Sequence, residues 1–168
     1  MAAGNWERAE RTLEQIEIMV PGGGWFFTAG DKTVCSGMIG GWLAQARSRP
    51  AAPALTRSLD SLVATDPPTV WLSEATLVCA RLLESAGDTA GALRAIRRGA
   101  QSFDYRTTFL REEGRLASLT GDTAGAARAY RRYLALRWAP EPVLQPEVER
   151  VRADLARLMR DQVRGSTP

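Results

Sequence analysis

Apolar side chains recur three and four residues apart in stretch after stretch of this protein, and glycines, prolines or polar pairs separate the stretches. That period predicts amphipathic helices throughout. Leu13, Ile16 and Met19 behind Ala9 predict a first helix over Asn5 to Met19. Pro21-Gly22-Gly23-Gly24 breaks it, and Trp25, Phe26 and Phe27 follow in a loop or short irregular insert. Three adjacent aromatics either fold back over an exposed end of the helices or form a patch for a partner. Met38, Ile39, Trp42 and Leu43 predict a second helix from Thr33 to Ser48, in which Gly37, Gly40 and Gly41 leave room for close backbone approach. A turn at Pro50 to Pro53 leads into the stripe Leu55, Leu59, Leu62 and Val63, closed by Asp66-Pro67-Pro68.

The later stretches are more regular. Leu72, Leu77, Cys79, Leu82 and Leu83 predict a helix from Trp71 to Ala86, with Gly87 as its left-handed cap. Asp88 or Thr89 caps the next helix, which runs to Phe103. Phe109, Leu110, Leu116 and Leu119 line another, and after the turn Gly121-Asp122-Thr123 comes one carrying Ala126, Tyr130, Tyr133 and Leu134. Beyond Pro140, Pro142 and Pro146, a last helix over Glu147 to Gln162 sets Val148, Val151, Leu155, Leu158 and Met159 on one side and its charges mostly on the other. Such a helix seals the end of an array, offering one face to the neighbouring helices and one to water. The tail from Arg164 to Pro168 is expected to be disordered.

An internal repeat organises these helices. Gly87 to Arg98 reads GDTAGALRAIRR, and 34 residues later Gly121 to Arg132 reads GDTAGAARAYRR, the same at ten of twelve positions. A period in the thirties marks stacked helical hairpins, because one hairpin cannot bury its apolar face alone. With its Gly-Asp-x-x-x-Ala turn and a large apolar residue four positions after that alanine, the sequence resembles a tetratricopeptide repeat protein over Trp71 to Trp138. The resemblance implies an all-α, right-handed α-solenoid of about three hairpins with a C-terminal capping helix. It places Ala92 and Ala126 at close helix crossings, and Ile96 and Tyr130 in grooves admitted by the small Ala80 and Gly114. The units are then a half hairpin at 5–19, a divergent hairpin at 33–66, repeats at 71–103 and 105–138 and a cap at 147–162, all in one domain over 1–163. Departures are Glu113 where an apolar residue is usual, Gly99 and Tyr133 for a small alanine, and Asp104 and Trp138 for the closing proline. The stretch from Tyr130 onward also resembles the repeat tails of large bacterial signalling proteins, including serine/threonine kinases and transcriptional activators. That likeness predicts a module descended from, or cut out of, a longer protein.

Composition narrows the chemistry. Of 22 basic residues only Lys32 is a lysine, against 19 acids and no histidine, for a net charge of +3. Sixteen arginines and twelve acids lie from Trp71 onward, so the basic excess is in the repeat half, interleaved with acids. A nucleic-acid binder would show a continuous basic stripe instead. Without histidine there is no Ser-His or Cys-His nucleophile and no histidine-containing zinc site. Cys35 and Cys79 read as small buried hydrophobes. Gly30-Asp31-Lys32-Thr33 fails as a phosphate loop, since Asp31 puts a negative charge where backbone N–H groups must converge; it reads as a helix cap. Glu112-Glu113 diverge by about 100° on a helix and do not converge on one substrate. No cofactor or metal is implied. There is no signal-peptide core and no run of about twenty apolar residues, so a cytoplasmic protein without a membrane partner is expected.

What remains is binding. Arg81 and Arg115 are one period apart, with Arg111 one turn before Arg115. On the inner face of an array these three form an arginine ladder suited to an acidic peptide or a polypeptide C-terminus. The alternative is that they pair with Glu84, Glu112 or Glu113 and are merely solvated. The sequence therefore predicts a non-catalytic protein- or peptide-binding scaffold using Arg81, Arg111 and Arg115, with Trp25 and Phe26 as secondary contacts. Two other readings stay open: the regulatory tail of a larger signalling protein, and a weak nucleic-acid binder.

Overall fold

A computed structural model describes residues 6–18, 29–65, 70–99 and 106–165. Among them the protein is all-α, with α1 (Trp6–Ile18), α2 (Ala29–Ala46), α3 (Ala52–Thr65), α4 (Val70–Ser85), α5 (Thr89–Gly99), α6 (Arg106–Leu119), α7 (Thr123–Leu136) and α8 (Gln145–Gly165). A single 3-10 turn, Pro142–Leu144, leads into α8. The fold divides into two compact units, residues 1–88 and 89–168.

In the first unit α2 packs against α1, α3 and α4, and α3 packs against α4. A helix with neighbours on three sides must be apolar around most of its circumference rather than along one stripe. The α2 sequence, AGDKTVCSGMIGGWLAQA, is of that kind. Its glycines divide by role. A Cβ on Gly41 would stand 2.8 Å from Leu82 Cδ1 of α4, and one on Gly37 would stand 3.2 Å from Leu59 Cδ1 of α3, whereas Gly40 meets nothing within 4 Å. Two of the three are therefore close-approach residues, as the sequence led one to expect, and Gly40 is not. The helix also begins earlier than its pattern suggests, so Asp31 is its third residue and not the residue that precedes it. In the second unit α6 packs against α5 and α7, and α7 against α8. The α8 helix reaches Gly165, two residues into the stretch expected to be disordered.

The repeated turn has a definite geometry. Gly87 has φ +88° and Gly121 has φ +80°. At the first, Asp88 N donates to Leu83 O and Gly87 N to Glu84 O, both at 2.9 Å. At the second, Asp122 N donates to Ala117 O at 2.9 Å and Gly121 N to Ser118 O at 3.3 Å. This pair of bonds satisfies the last carbonyls of a helix and needs a left-handed residue between them. The end of α2 repeats it without a glycine. Arg49 N donates to Ala44 O at 2.8 Å and Ser48 N to Gln45 O at 3.0 Å, and Ser48 has φ +49°. A serine there bears the Cβ strain that glycine avoids. Ser48→Gly is thus expected to raise stability by about 0.5–1 kcal/mol in urea unfolding.

Candidate functional site

Arg111 and Arg115 lie one turn apart on α6 and line a cavity of about 280 Å³ in the second unit, with Glu112, Tyr130, Glu147, Arg150 and Asp154. Both arginines are paired with carboxylates of the same chain. Glu112 accepts from Arg111 Nη2 at 3.2 Å and from Arg115 Nε at 2.9 Å. Glu147, on α8, accepts from Arg111 Nη1 and, through its other oxygen, from Tyr133 Oη at 2.5 Å. Charges thus alternate from Arg115 through Glu112 and Arg111 to Glu147, and the series ends on the Tyr133 hydroxyl. For these two arginines the pairing alternative is what the structure contains. Glu112 is the partner foreseen, Glu147 is added by α8, and Glu113 turns elsewhere.

The electrostatics follow from the geometry. Burial opposes a charge on Glu147, but the Tyr133 hydrogen bond and the Arg111 and Arg137 guanidiniums outweigh it, so its pKa lies below the ordinary 4.5. Tyr133 is pushed up to about 12, by burial first and then by the Glu147 carboxylate. Tyr130 is also pushed up to about 12, by burial and next by the charge of Asp154. Glu147 ties α8 to Arg111 of α6 and to Tyr133 of α7.

A second network explains a departure from the repeat pattern. Arg97 of α5 donates to Glu113 Oε1 at 3.1 Å and to Asp122 Oδ2 at 2.5 Å. Asp122 caps α7, its Oδ1 accepting from Gly125 N at 2.9 Å. The Arg97 bond first, and the Gly125 N–H second, hold the Asp122 carboxyl below its usual range. Glu113 thus sits at an apolar position of the pattern because Arg97 faces it.

Arg81 has a different setting. It is exposed on α4 and lines a cavity of about 400 Å³ in the first unit, with Trp6, Trp42, Gln45, Ala46 and Ser85. Ser85 Oγ donates to the Arg81 carbonyl at 2.7 Å, and among the described residues the Arg81 guanidinium makes no ion pair. The sequence pattern does not single out Trp6, Trp42 or Gln45 for binding. Trp42 reads as one more apolar residue of its helix, and nothing in the spacing joins it to Trp6. Trp25 and Phe26, the proposed secondary contacts, lie outside the described residues. Among the described residues no three Cys, Asp or Glu side chains come together as a metal ion requires, and no helix is long and apolar enough to cross a membrane. Cys79 is buried, with Sγ 3.6 Å from Asp60 Oδ1, and Cys35 is half-buried.

No protein-family model matches this sequence, and none of the curated proteins matches it.

Proposed function

We propose that this protein is a non-catalytic protein-binding module built as a right-handed array of tetratricopeptide-like hairpins. The observation that supports it most is the corner between α7 and α8. There Trp138 and Val143 are each 82% exposed and Leu136 is 49% exposed, all within residues 136–143. A tryptophan held almost wholly in water is costly to solvation and typical of the anchors that carry binding energy at protein interfaces. The repeated glycine turns support the array itself, and arrays of this kind act by presenting surface.

The acidic peptide or polypeptide C-terminus proposed as ligand has its support in Arg81. Arg111 and Arg115 would have to exchange Glu112 and Glu147 for the ligand, whereas Arg81 has no carboxylate to give up among the described residues. The test is affinity capture from bacterial lysate with quantitative mass spectrometry, comparing the wild type with Trp138→Glu/Val143→Glu and with Arg81→Glu. At least one protein is expected to fall by about tenfold or more with the corner variant, as loss of an interface anchor requires. A set of captured proteins that ignores both variants would discard the reading.

A further inference from the structure

The cavity of the first unit has a composition that a protein-docking surface does not require. Its walls are two indoles, Trp6 at the start of α1 and Trp42 near the end of α2, and its polar groups are few. Among the described residues that line it, the exposed Arg81 is the cation and none is an acid. The Gln45 side-chain oxygen is shut off from solvent and has no hydrogen-bond partner among the described residues. With that oxygen enclosed, the two N–H donors of the same carboxamide are the end that can meet a ligand. Positive charge continues beyond Ala46, where Arg47 and Arg49 share the single carboxylate of Glu10, at 2.8 and 3.7 Å.

We infer that this cavity is a binding site for a small apolar carboxylate, with the carboxylate on Arg81 and Gln45 and the apolar body between Trp6 and Trp42. Each element of the chemistry selects for this class. A guanidinium meets a carboxylate through two parallel N–H donors, and a carboxamide adds a third. Indole faces favour a flat or branched hydrocarbon and offer nothing to a second charge. The volume sets the size. A cavity of about 150 Å³ holds one benzene ring, and small-molecule pockets begin near about 300 Å³. The roughly 400 Å³ here therefore suits a carboxylic acid with one or two rings or a short branched hydrocarbon. A dianion such as a phosphate monoester is disfavoured, since one guanidinium leaves its second charge uncompensated against the indoles.

The test uses naphthaleneacetate and its uncharged isostere naphthaleneacetamide, titrated into the full-length protein by calorimetry. The wild type is expected to bind the acid at least about tenfold more tightly than the amide, the difference that one charge-assisted contact makes. Arg81→Met, at an exposed position where the helix should be unaffected, is expected to abolish that preference, with far-UV circular dichroism confirming the fold. Trp42→Leu is expected to weaken acid and amide alike. Equal affinities for acid and amide, an unchanged preference in Arg81→Met, or no binding at about 1 mM would each overturn the inference. An acetylated tetrapeptide ending in phenylalanine with a free carboxylate is the third ligand. If it binds and naphthaleneacetate does not, the site belongs to a polypeptide terminus and the small-molecule inference fails. This site competes with the peptide ligand proposed above for Arg81 but does not rest on the Trp138 corner: Trp138→Glu/Val143→Glu is expected to bind naphthaleneacetate as the wild type does, whatever it captures from lysate.

Discussion

Gly114→Ala is expected to destabilise the second unit by about 2–3 kcal/mol, although alanine is intrinsically the better helix former by about 1 kcal/mol. A Cβ added at Gly114 would overlap the ring of Tyr130, with Cδ1, Cε1 and Cζ all in its way. That ring cannot swing aside cheaply, because Tyr130 is buried at 3% exposure and the atoms in the way belong to the ring itself, which moves only as a rigid whole. Rigid overlap between a backbone-anchored methyl and an aromatic ring moves helices apart, and α6 and α7 are the central pair of the unit. Urea unfolding should show the loss as a lower midpoint, and hydrogen exchange should place it in residues 106–136. The cause is separable from a general dislike of change at this position. In a Tyr130→Leu background the same Gly114→Ala substitution should cost less, or gain, because the obstacle has gone. Equal costs in the two backgrounds would show that the ring is not what the glycine admits.

Gly114 and Tyr130 are also a measure of what the sequence discloses. A glycine inside a helix and a large residue 16 positions later on the next make sense once the hairpin is recognised, and the repeat supplies that recognition. The turns at Gly87 and Gly121 are legible for the same reason, since a left-handed helix end has a local residue signature. The turn at Ser48 is not. Its hydrogen bonds match the other two, but serine carries no such signature, so the likeness of this helix end to the later repeats is visible only in the backbone. Side-chain partners are less legible still. Arg81, Arg111 and Arg115 look equivalent when counted along the period. Glu147 distinguishes them, and it is 36 residues from Arg111, on a helix that the repeat does not predict to supply a carboxylate. Glu113 is a hint in plain view: an acid at an apolar repeat position asks for a cation, and Arg97 on the preceding helix answers it. The Trp6, Trp42 and Arg81 cavity has no such hint. It is assembled from three helices, and only their packing brings an indole from the first to an arginine of the fourth.

Removing the carboxylate that holds the last helix should show the other large effect. Glu147→Ala is expected to cost about 1–3 kcal/mol at neutral pH, since it strips the Tyr133 hydroxyl and one Arg111 contact of their shared partner in a half-buried place. Glu147→Gln is expected to cost less, because a carboxamide can still accept from Tyr133 but gives Arg111 no charge. The pH dependence identifies the mechanism. The folded pKa of Glu147 lies below its unfolded value of 4.5, so its contribution is fully present above that value. It is lost as pH falls through the folded pKa, where the native carboxylate takes up its proton. The stability gap between wild type and Glu147→Gln should therefore be constant near neutrality and close on acidification below about pH 4.5, as protonation makes the two side chains alike. Asp122, also held below its usual range, titrates in both proteins and cancels in the difference. Hydrogen exchange should find the loss first in residues 145–165, because Glu147 is where α8 is tied to both α6 and α7. A gap that does not change with pH would mean that Glu147 fills space and that its charge holds nothing.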